Sequence, residues 1–272
     1  MRISTAQELS PLKGQLIFVG FGLDGASGLS LEAIDVLKAA DRIFIENYTN
    51  FIDSNILNEL VSLLERSIEP LSRADLEQGE SKFLELCETK RIALLVSGDP
   101  FIATTHISLR LGAVRKGIPV RIINAPSVLS VASSYTGLSA YRFGRSATVG
   151  FQRSRYCYDI LSANLQIDAH TVLLLDINVD SRRFLDVNTA ISQLRDLEEE
   201  YREGAFTERN LLFGLARVGR MNAVIKVGNP TEIDEVDWKA IDPPQSIIVC
   251  GKLQAYEEEA IQVLWERKVP GG

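Results

Sequence analysis

Six short segments of this 272-residue chain combine glycine or proline with polar side chains at the ends of apolar runs. Glycine lets the backbone approach a ligand closely, and proline stiffens a turn. In α/β proteins, ligands bind at the carboxyl ends of parallel strands. We therefore expect a ligand site built largely from main-chain atoms. The segments are residues 20–25, 97–106, 124–128, 137–144, 214–219 and 242–253.

The first segment, Gly20-Phe21-Gly22-Leu23-Asp24-Gly25, fits a G-x-G-x-x-G dinucleotide fingerprint by letter. Glu46 lies near the position where that fingerprint places its acid. However, residues 26–30 separate the glycines from the helix that should follow them directly. We interpret the segment as a tight strand-to-helix turn at which the backbone can approach a ligand.

The polar residues of the second segment, Ser97 to His106, allow two interpretations. Asp99 could accept a hydrogen bond from a ligand hydroxyl or amine, or lie near a sulfonium cation. It could equally cap the following turn, with Thr104 or Thr105 capping the next helix. His106 at a helix start is more typical of a capping or hydrogen-bonding residue than of a catalytic base.

Later segments carry the same ambiguity. Ser127 could cap a helix or offer its hydroxyl to a ligand. The run Tyr141-Arg142-Phe143 could line a pocket or anchor a loop. Arg217 follows an apolar strand, and a buried arginine needs a carboxylate partner, which could be structural or belong to a substrate.

The composition excludes several classes of protein. A net charge of -7 and a pI of about 5.1 argue against a general nucleic-acid binder, which would carry a basic excess. The three scattered cysteines indicate free thiols in a reducing compartment, and two histidines are too few for a histidine-based zinc site. No apolar run approaches membrane-spanning length and the N-terminus is polar. We expect a cytoplasmic protein with no metal and no membrane partner.

The spacing of apolar residues predicts which elements position these segments. In the first half, strands alternate with amphipathic helices, which predicts a mainly parallel sheet. The predicted strands are residues 16–20, 42–46, 92–96 and 120–123, and the predicted helices are residues 30–40, 52–64, 80–88, 105–116 and 127–135. Ser30 is the expected N-cap of the first helix.

The second half has fewer predicted helices per strand, which favours a mixed sheet in a second α/β domain. Strands are predicted at residues 147–150, 171–176, 211–216, 223–227 and 246–250. One long helix is predicted between them at residues 187–201, and a C-terminal helix at residues 256–267. We expect an N-terminal extension over residues 1–14, a first domain over 15–126 and a second over 127–272.

Taken together, the segments resemble the diphthine synthase family of the tetrapyrrole-methylase superfamily. The matching motifs are GFGLDG, GDPFIATTH, NAPSV, TGLSAYRFG, HTVLLLDI, VNTAI, GLARVG and DPP…VCGKL. They occur in the family's order over about residues 15–260. GFGLDG is generic to the superfamily, whereas GDPFIATTH followed by TGL-x-x-YRFG is specific to this family.

The resemblance implies two α/β domains with S-adenosylmethionine in a cleft between them, and a homodimer. Carried over position by position, it implies these cofactor contacts: Leu23, Asp99, Ile102, Ser127, Val128, Leu175, Val218 and Gln245. Several of these are apolar, so contact would run through main-chain atoms. The family usually has histidine where this chain has Gln245, and the exchange matters only if that contact uses the side chain.

The implied substrate is a histidine of translation elongation factor 2 that carries an amino-carboxypropyl group. Its primary amine would attack the sulfonium methyl, and we expect trimethylation. Motif positions suggest Arg217, Arg142 or Lys252 as the ligand of the substrate carboxylate. Two alternatives stay open: a corrin-precursor (precorrin) methyltransferase, and a non-catalytic S-adenosylmethionine-binding interaction protein.

Overall fold

The computed structural model describes residues 14–48, 52, 54–179 and 181–266. The chain divides into two compact units between Ser127 and Val128, one residue after the predicted domain boundary. Of the expected N-terminal extension, residues 1–13 lie outside the described residues.

The first unit is built from alternating strands and helices. Its strands are β1 (Gln15–Gly20), β2 (Arg42–Glu46), β3 (Ile68–Leu71), β4 (Arg91–Val96) and β5 (Val120–Ile123). Its helices are α1 (Leu31–Ala39), α2 (Ser54–Leu64), α3 (Arg73–Glu77), α4 (Glu80–Thr89) and α5 (His106–Arg115), with a short 3-10 helix at Gly25–Gly28. The strands form one parallel sheet in the order β3-β2-β4-β1-β5, as the alternation predicts.

Both faces of this sheet are covered. Successive side chains of a strand point to opposite faces. Ile17 and Val19 accordingly pack in the cluster formed with α1 and α2, while Leu16 and Phe18 pack in the cluster formed with α4 and α5. Ser30 caps α1 by accepting a hydrogen bond from the Ala33 N–H, which confirms the predicted start of that helix.

All five strands run parallel, but the order in which strands are added to the sheet reverses between β1 and β4. The connection after β1 leads through α1 to β2 on one side, and the connection after β4 leads through α5 to β5 on the other. Doubly wound sheets bind ligands outside the carboxyl ends of the strands at such a switch point. The segments after β1 and β4, singled out from the sequence, flank this point.

The second unit contains a mixed sheet. Its strands are β6 (Ala147–Val149), β7 (Thr171–Leu175), β10 (Leu212–Ala216), β11 (Val224–Gly228) and β12 (Gln245–Val249), in the order β11-β10-β12-β7-β6. The β6–β7 pair is parallel and the others are antiparallel. β8 (Ile177–Asn178) and β9 (Arg183–Phe184) form a separate hairpin. The helices are α6 (Val128–Thr136), α7 (Arg155–Leu165), α8 (Val187–Tyr201), α9 (Pro230–Asp234) and α10 (Ala255–Trp265). The predicted mixed sheet is confirmed.

The prediction of one helix between the strands of this unit was wrong. α7 has a buried face with helical spacing, but that face includes Asn164, where periodicity leads one to expect an apolar residue. Asn164 is satisfied by hydrogen bonds to Arg145 O and Thr171 Oγ1. β3 was also missed, because Pro70 argues against a strand; proline is tolerated here since β3 lies at the edge of the sheet.

All three cysteines are buried free thiols. Burial raises the pKa of the Cys87 thiol to about 12 and also raises the pKa values of Cys157 and Cys250. Among the described helices, none is long and apolar enough to cross a membrane.

Candidate functional site

Two loops meet at the carboxyl edge of the parallel sheet: the β1 loop, residues 21–30, and the β4 loop, residues 97–105. Gly22 and Gly98 join them through two hydrogen bonds, Gly22 N–H to Gly98 O at 3.3 Å and Gly98 N–H to Gly22 O at 2.8 Å. Both glycines adopt φ near +70°, a backbone conformation that side-chain-bearing residues rarely take. The contact between the two loops therefore requires glycine at both Gly22 and Gly98.

Asp99 ties the β4 loop to the β5 loop, residues 124–127. Its Oδ1 accepts from the Phe101 N–H at 2.9 Å, and its Oδ2 accepts from Asn124 Nδ2 at 2.9 Å and the Ala125 N–H at 3.4 Å. The turn-capping interpretation of Asp99 is thus confirmed. Since both carboxylate oxygens already accept hydrogen bonds, the main role of Asp99 is to shape the turn.

Helix capping by the two threonines was not as expected. Thr105 is the N-cap of α5 but its side chain makes no capping hydrogen bond. Thr104 Oγ1 instead donates to the Pro100 carbonyl at 2.7 Å. A hydrogen bond within the β4 loop, from Thr104 to Pro100, therefore closes this loop before α5 begins.

The structure brings the cofactor positions predicted in the first unit to this one edge. Leu23 is half-buried in the β1 loop, and Ile102 is 37% exposed in the β4 loop. Ser127 is buried beside Gly98, since a Cβ built on Gly98 would lie 3.8 Å from the Ser127 Cβ. That same Cβ would also lie 3.9 Å from Pro126 O, and Gly98 is itself buried, so the β4 and β5 loops pack closely together at this point.

In the second unit, three predicted cofactor positions also share one edge of a sheet. Leu175 ends β7, Gln245 begins the neighbouring β12, and Val218 follows the end of β10. The pairings of Leu174 with Ser246 and of Gln245 with Ala216 place the three strand ends side by side. We call this the Leu175 edge. The eighth position, Val128, begins α6 and packs against a hydrophobic cluster of this unit.

The Gln245 side chain points into the protein. Its Oε1 accepts from the Val187 N–H at 3.0 Å, and its Nε2 donates to Trp238 O at 2.9 Å and Ile241 O at 2.7 Å. Gln245 is buried, so this amide is committed to the start of α8 and to the turn before β12. A cofactor contact at this position would therefore use main-chain atoms, and glutamine in place of histidine leaves those atoms in place.

Arg217 lies at the Leu175 edge in a left-handed conformation with φ 50°. Its Nη1 pairs with Asp242 Oδ2 at 3.0 Å and its Nη2 donates to Asn222 O at 3.0 Å. Nε is buried and has no hydrogen-bond partner among the described residues. The carboxylate partner expected of this arginine is therefore structural, but Asp242 is 86% exposed, so that pair is open to exchange.

Arg142 and Lys252, the other two candidates for the substrate carboxylate, lie at the opposite end of the strands from Arg217 and Leu175. Arg142 Nη2 donates to Asp168 O and to Lys252 O, both at 2.7 Å. These residues flank the start of β7 and the end of β12, which we call the Thr171 edge. Four residue steps along β7 separate the two edges, about 13 Å. Sequence proximity in the YRFG and GKL motifs could not reveal this separation.

A buried polar cluster holds the Thr171 edge together. Glu257, fully buried on α10, accepts from the Ser139 N–H and the Gln254 N–H, both at 2.9 Å, and pairs with Arg142 Nη1 at 3.3 Å. His170 Nε2 lies 3.0 Å from Glu257 Oε1. We call Glu257, His170 and Arg142 the Glu257 cluster. Sequence reasoning missed it, although Gln254 and Glu257 have capping-box spacing.

The protonation of the Glu257 cluster follows from its geometry. His170 Nδ1 accepts from the Gly251 N–H at 3.1 Å, so the imidazole proton lies on Nε2 and is donated to Glu257. Burial lowers the pKa of His170, despite the opposing effect of Glu257. Burial acts to raise the pKa of Glu257, but hydrogen bonds from Ser139, Gln254 and His170 hold it below its ordinary value. The cluster is a neutral histidine on a carboxylate, and its role is structural.

No group of three or more His, Cys, Asp or Glu side chains in the described part of the chain is arranged to hold a metal ion. The arrangement offers main-chain groups at the strand ends of both sheets and one arginine whose ion pair reaches solvent. Such groups bind and orient a ligand but supply no strong base.

Comparisons with known proteins agree with these features. The family model for tetrapyrrole (corrin/porphyrin) methylases matches residues 15–211. Diphthine synthase of Methanocaldococcus jannaschii is 34% identical over 257 residues, and that of Methanococcus maripaludis strain S2 is 33% identical over 255 residues. Each match covers 92% of this chain and 99% of the relative.

Solved structures give the same result. A crystal structure of diphthine synthase matches with a TM-score of 0.82 and 31% identity, over 92% of this chain and 95% of the other. A putative diphthine synthase from Entamoeba histolytica matches with a TM-score of 0.82 and 26% identity, over 92% and 98%. The chain therefore belongs to the tetrapyrrole methylases and, within them, to the diphthine synthase family.

Proposed function

We propose that this chain is an S-adenosylmethionine-dependent methyltransferase that methylates the amino group of the amino-carboxypropyl-histidine of translation elongation factor 2. The observation that carries the proposal is the near full-length similarity to diphthine synthases, whose motifs form the two strand-end edges described above. We propose trimethylation as the outcome. A cytoplasmic location follows from this protein substrate and is supported by three thiols that form no disulfide.

The proposed contacts of S-adenosylmethionine are the eight positions inferred from the resemblance. In the first unit they occupy the loops after β1, β4 and β5, which are held together by the Gly22–Gly98 hydrogen bonds and by Asp99. In the second they include Leu175, Val218 and Gln245 at one sheet edge. This arrangement fits a cofactor held mainly by amides and carbonyls, because Asp99 and Gln245 use their side chains internally.

The bound cofactor supplies a methyl group on a sulfonium sulfur. In the proposed reaction the substrate's neutral primary amine would take this methyl group, the S–C bond breaking as the N–C bond forms, and one proton would then be released to water. Such an in-line displacement needs positioning more than a strong base. The protein's own contribution is therefore to hold the two reactants at the right distance and angle, which rigid strand-end loops do well.

Arg217 is the remaining candidate for the substrate's carboxylate, since Arg142 and Lys252 lie at the Thr171 edge. Its side chain is only 13% exposed, which strengthens a charge pair, and its exposed partner Asp242 can be displaced or joined by a second carboxylate.

Replacing Arg217 by glutamine should raise the KM for modified elongation factor about thirtyfold, as expected for one lost charge-assisted hydrogen bond. The dissociation constant of S-adenosylhomocysteine should change less than about threefold. Arg217→Lys keeps the charge, so its KM for modified elongation factor should lie between those of the wild type and of Arg217→Gln. The KM of Lys252→Gln should match that of the wild type. Equal KM values for Arg217→Gln and Lys252→Gln would remove Arg217 from the substrate site.

Methyl transfer itself is tested with cofactor labelled on its methyl group. The purified chain is incubated with amino-carboxypropylated elongation factor 2 and, separately, with a precorrin. Label in the elongation factor alone is the expected result, and mass spectrometry of the modified peptide then counts the methyl groups. Label in the precorrin alone would establish a corrin-precursor methyltransferase. Cofactor binding without label in either would indicate a non-catalytic binding protein.

We also propose that the chain forms a homodimer. α5 buries Leu109 and Ala113 on one side, yet Ile107, Leu111 and Val114 are exposed at helical spacing on the other. A helix that is apolar on two sides is typical of one that a further partner covers.

Leu111→Glu should convert the dimer to a monomer in sedimentation equilibrium, since it places a charge in an apolar interface. Leu31→Glu, at an exposed leucine of α1, is the matched control and should leave the dimer intact. A wild-type monomer would refute the homodimer, and a dimeric Leu111→Glu variant would exclude this face of α5.

A further inference from the structure

We propose that His106 is a positioning residue for the cofactor loop. In this role it fixes the Pro100 carbonyl and thereby orients the turn from Asp99 to Ala103. The inference rests on the proposed function, because Asp99 and Ile102 of this turn are proposed cofactor contacts. It goes further in naming a residue that touches no ligand and controls the shape of the loop that does.

The hydrogen bonds of His106 fix where its proton lies. The ring is buried, and its Nδ1 lies 2.7 Å from the Pro100 carbonyl oxygen. A carbonyl only accepts, so Nδ1 carries a hydrogen. Nε2 faces Tyr48 Oη at 3.4 Å and Glu46 Oε2 at 3.6 Å. The hydrogen on Nδ1 is donated to Pro100, and Nε2 faces Tyr48 and Glu46.

The turn that this bond holds has irregular backbone. The Pro100 carbonyl shares a peptide plane with the Phe101 N–H, which donates to Asp99 Oδ1, so hydrogen bonds on both sides orient that plane. The Pro100 oxygen accepts from both Thr104 Oγ1 and His106 Nδ1. Between Pro100 and Thr104, Ala103 adopts φ 57°, which is unfavourable for a residue with a Cβ, so the turn needs support from its surroundings. With the carbonyl turned inward, Ile102 projects partly exposed from the same turn.

Packing alone does not explain why histidine occupies position 106. Its ring lies 5.9 Å from the Phe18 ring and 6.4 Å from the Tyr48 ring, a setting that phenylalanine or leucine could fill. Burying imidazole there instead, close to the buried carboxylate of Glu46, carries a desolvation cost. A directed donor to Pro100 gives a reason for histidine at this position.

Two substitutions separate the donor from the packing. Asparagine places an N–H near the position of Nδ1, whereas glutamine places one near Nε2. His106→Gln should raise the dissociation constant of S-adenosylhomocysteine, measured by calorimetry, about tenfold, and His106→Asn should stay within about threefold of wild type. The KM for S-adenosylmethionine should follow the same order. The kcat at saturating cofactor and the KM for modified elongation factor should be nearly unchanged.

Equal affinities for the asparagine and glutamine variants would overturn the inference and leave a packing role. If neither variant folds, the inference is tested at Thr104, whose hydroxyl also donates to the Pro100 carbonyl. Thr104→Val should then weaken S-adenosylhomocysteine binding about threefold and Thr104→Ser should not, since serine keeps the hydroxyl. Equal binding by these two variants would also overturn it. Failure of the wild-type chain to bind S-adenosylhomocysteine would instead refute the proposed function.

Discussion

Replacing Gly20 by alanine should weaken S-adenosylhomocysteine binding at least about a hundredfold, because it displaces loops that carry the proposed cofactor contacts. A Cβ at Gly20 would lie 2.5 Å from Gly98 O, 2.8 Å from the Ala125 Cβ and 3.0 Å from Pro100 Cδ. Two of these three atoms belong to backbone or proline ring, so neither can rotate away. The loops after β4 and β5 must both shift, and the free energy of unfolding should fall by about 2 kcal/mol.

Gly117→Ala is the matched control for this variant. Gly117 adopts φ +71° and nothing lies within 4 Å of its Cβ position, so alanine there strains the backbone without crowding. It should cost about 1 kcal/mol of stability and leave ligand binding unchanged. If Gly20→Ala binds S-adenosylhomocysteine as Gly117→Ala does, the loops at this edge do not form the cofactor site.

The second large effect is expected at Glu257. Glu257→Ala would leave Arg142, His170 and two main-chain N–H groups without their buried acceptor. Removing one partner from a buried charged pair destabilises a protein by about 3–5 kcal/mol. We expect the unfolding temperature to fall by about 10 °C in a thermal melt.

Glu259→Ala, at an exposed glutamate on the same helix, should shift the melt by less than about 2 °C. The kcat of the folded Glu257→Ala enzyme should be preserved, since the Glu257 cluster lies at the Thr171 edge. If Glu257→Ala unfolds at a temperature no lower than that of Glu259→Ala, the Glu257 cluster contributes nothing to stability.

The same cluster sets a dependence of stability on pH. Since burial lowers the pKa of His170 from 6.5, the unfolded chain binds a proton below about pH 6.5 that the folded chain does not, and the free energy of unfolding decreases as the pH is lowered through this range. Glu257, whose pKa also lies below its ordinary 4.5, loses its contribution only at lower pH. In urea unfolding, the wild-type free energy of unfolding should therefore be lower at pH 5 than at pH 7, and this difference should be smaller in His170→Gln. An equal loss in both proteins would contradict this assignment.

The sequence could predict features that depend on neighbouring residues in the chain, but not those that depend on which strands lie side by side. Gly98, Asp99 and Pro100 end an apolar run, so their place at a strand end could be inferred without the fold. The pairing of Gly22 with Gly98 could not, because it requires β1 and β4 to be neighbours in the sheet. Motif spacing predicts where a turn occurs but not which other turn it contacts.

The second unit shows the same limit more sharply. Arg142 and Arg217 both stand beside motif glycines, yet they lie at opposite edges of the sheet, since strand order and direction decide this. Gln245 was uncertain for a related reason. Its amide is directed inward by the acceptors of Trp238 and Ile241 and by the Val187 N–H, which become neighbours only through folding.

The burial of all three thiols also gives the chain a practical property. Maleimides react with thiolates, and the raised pKa values and burial of Cys87, Cys157 and Cys250 suppress that form. The native protein thus has little background labelling. A cysteine introduced at the fully exposed Met221, four residues after Arg217, would be labelled selectively. A fluorophore there would test, without any prior removal of native cysteines, whether elongation factor 2 docks at the Leu175 edge as proposed.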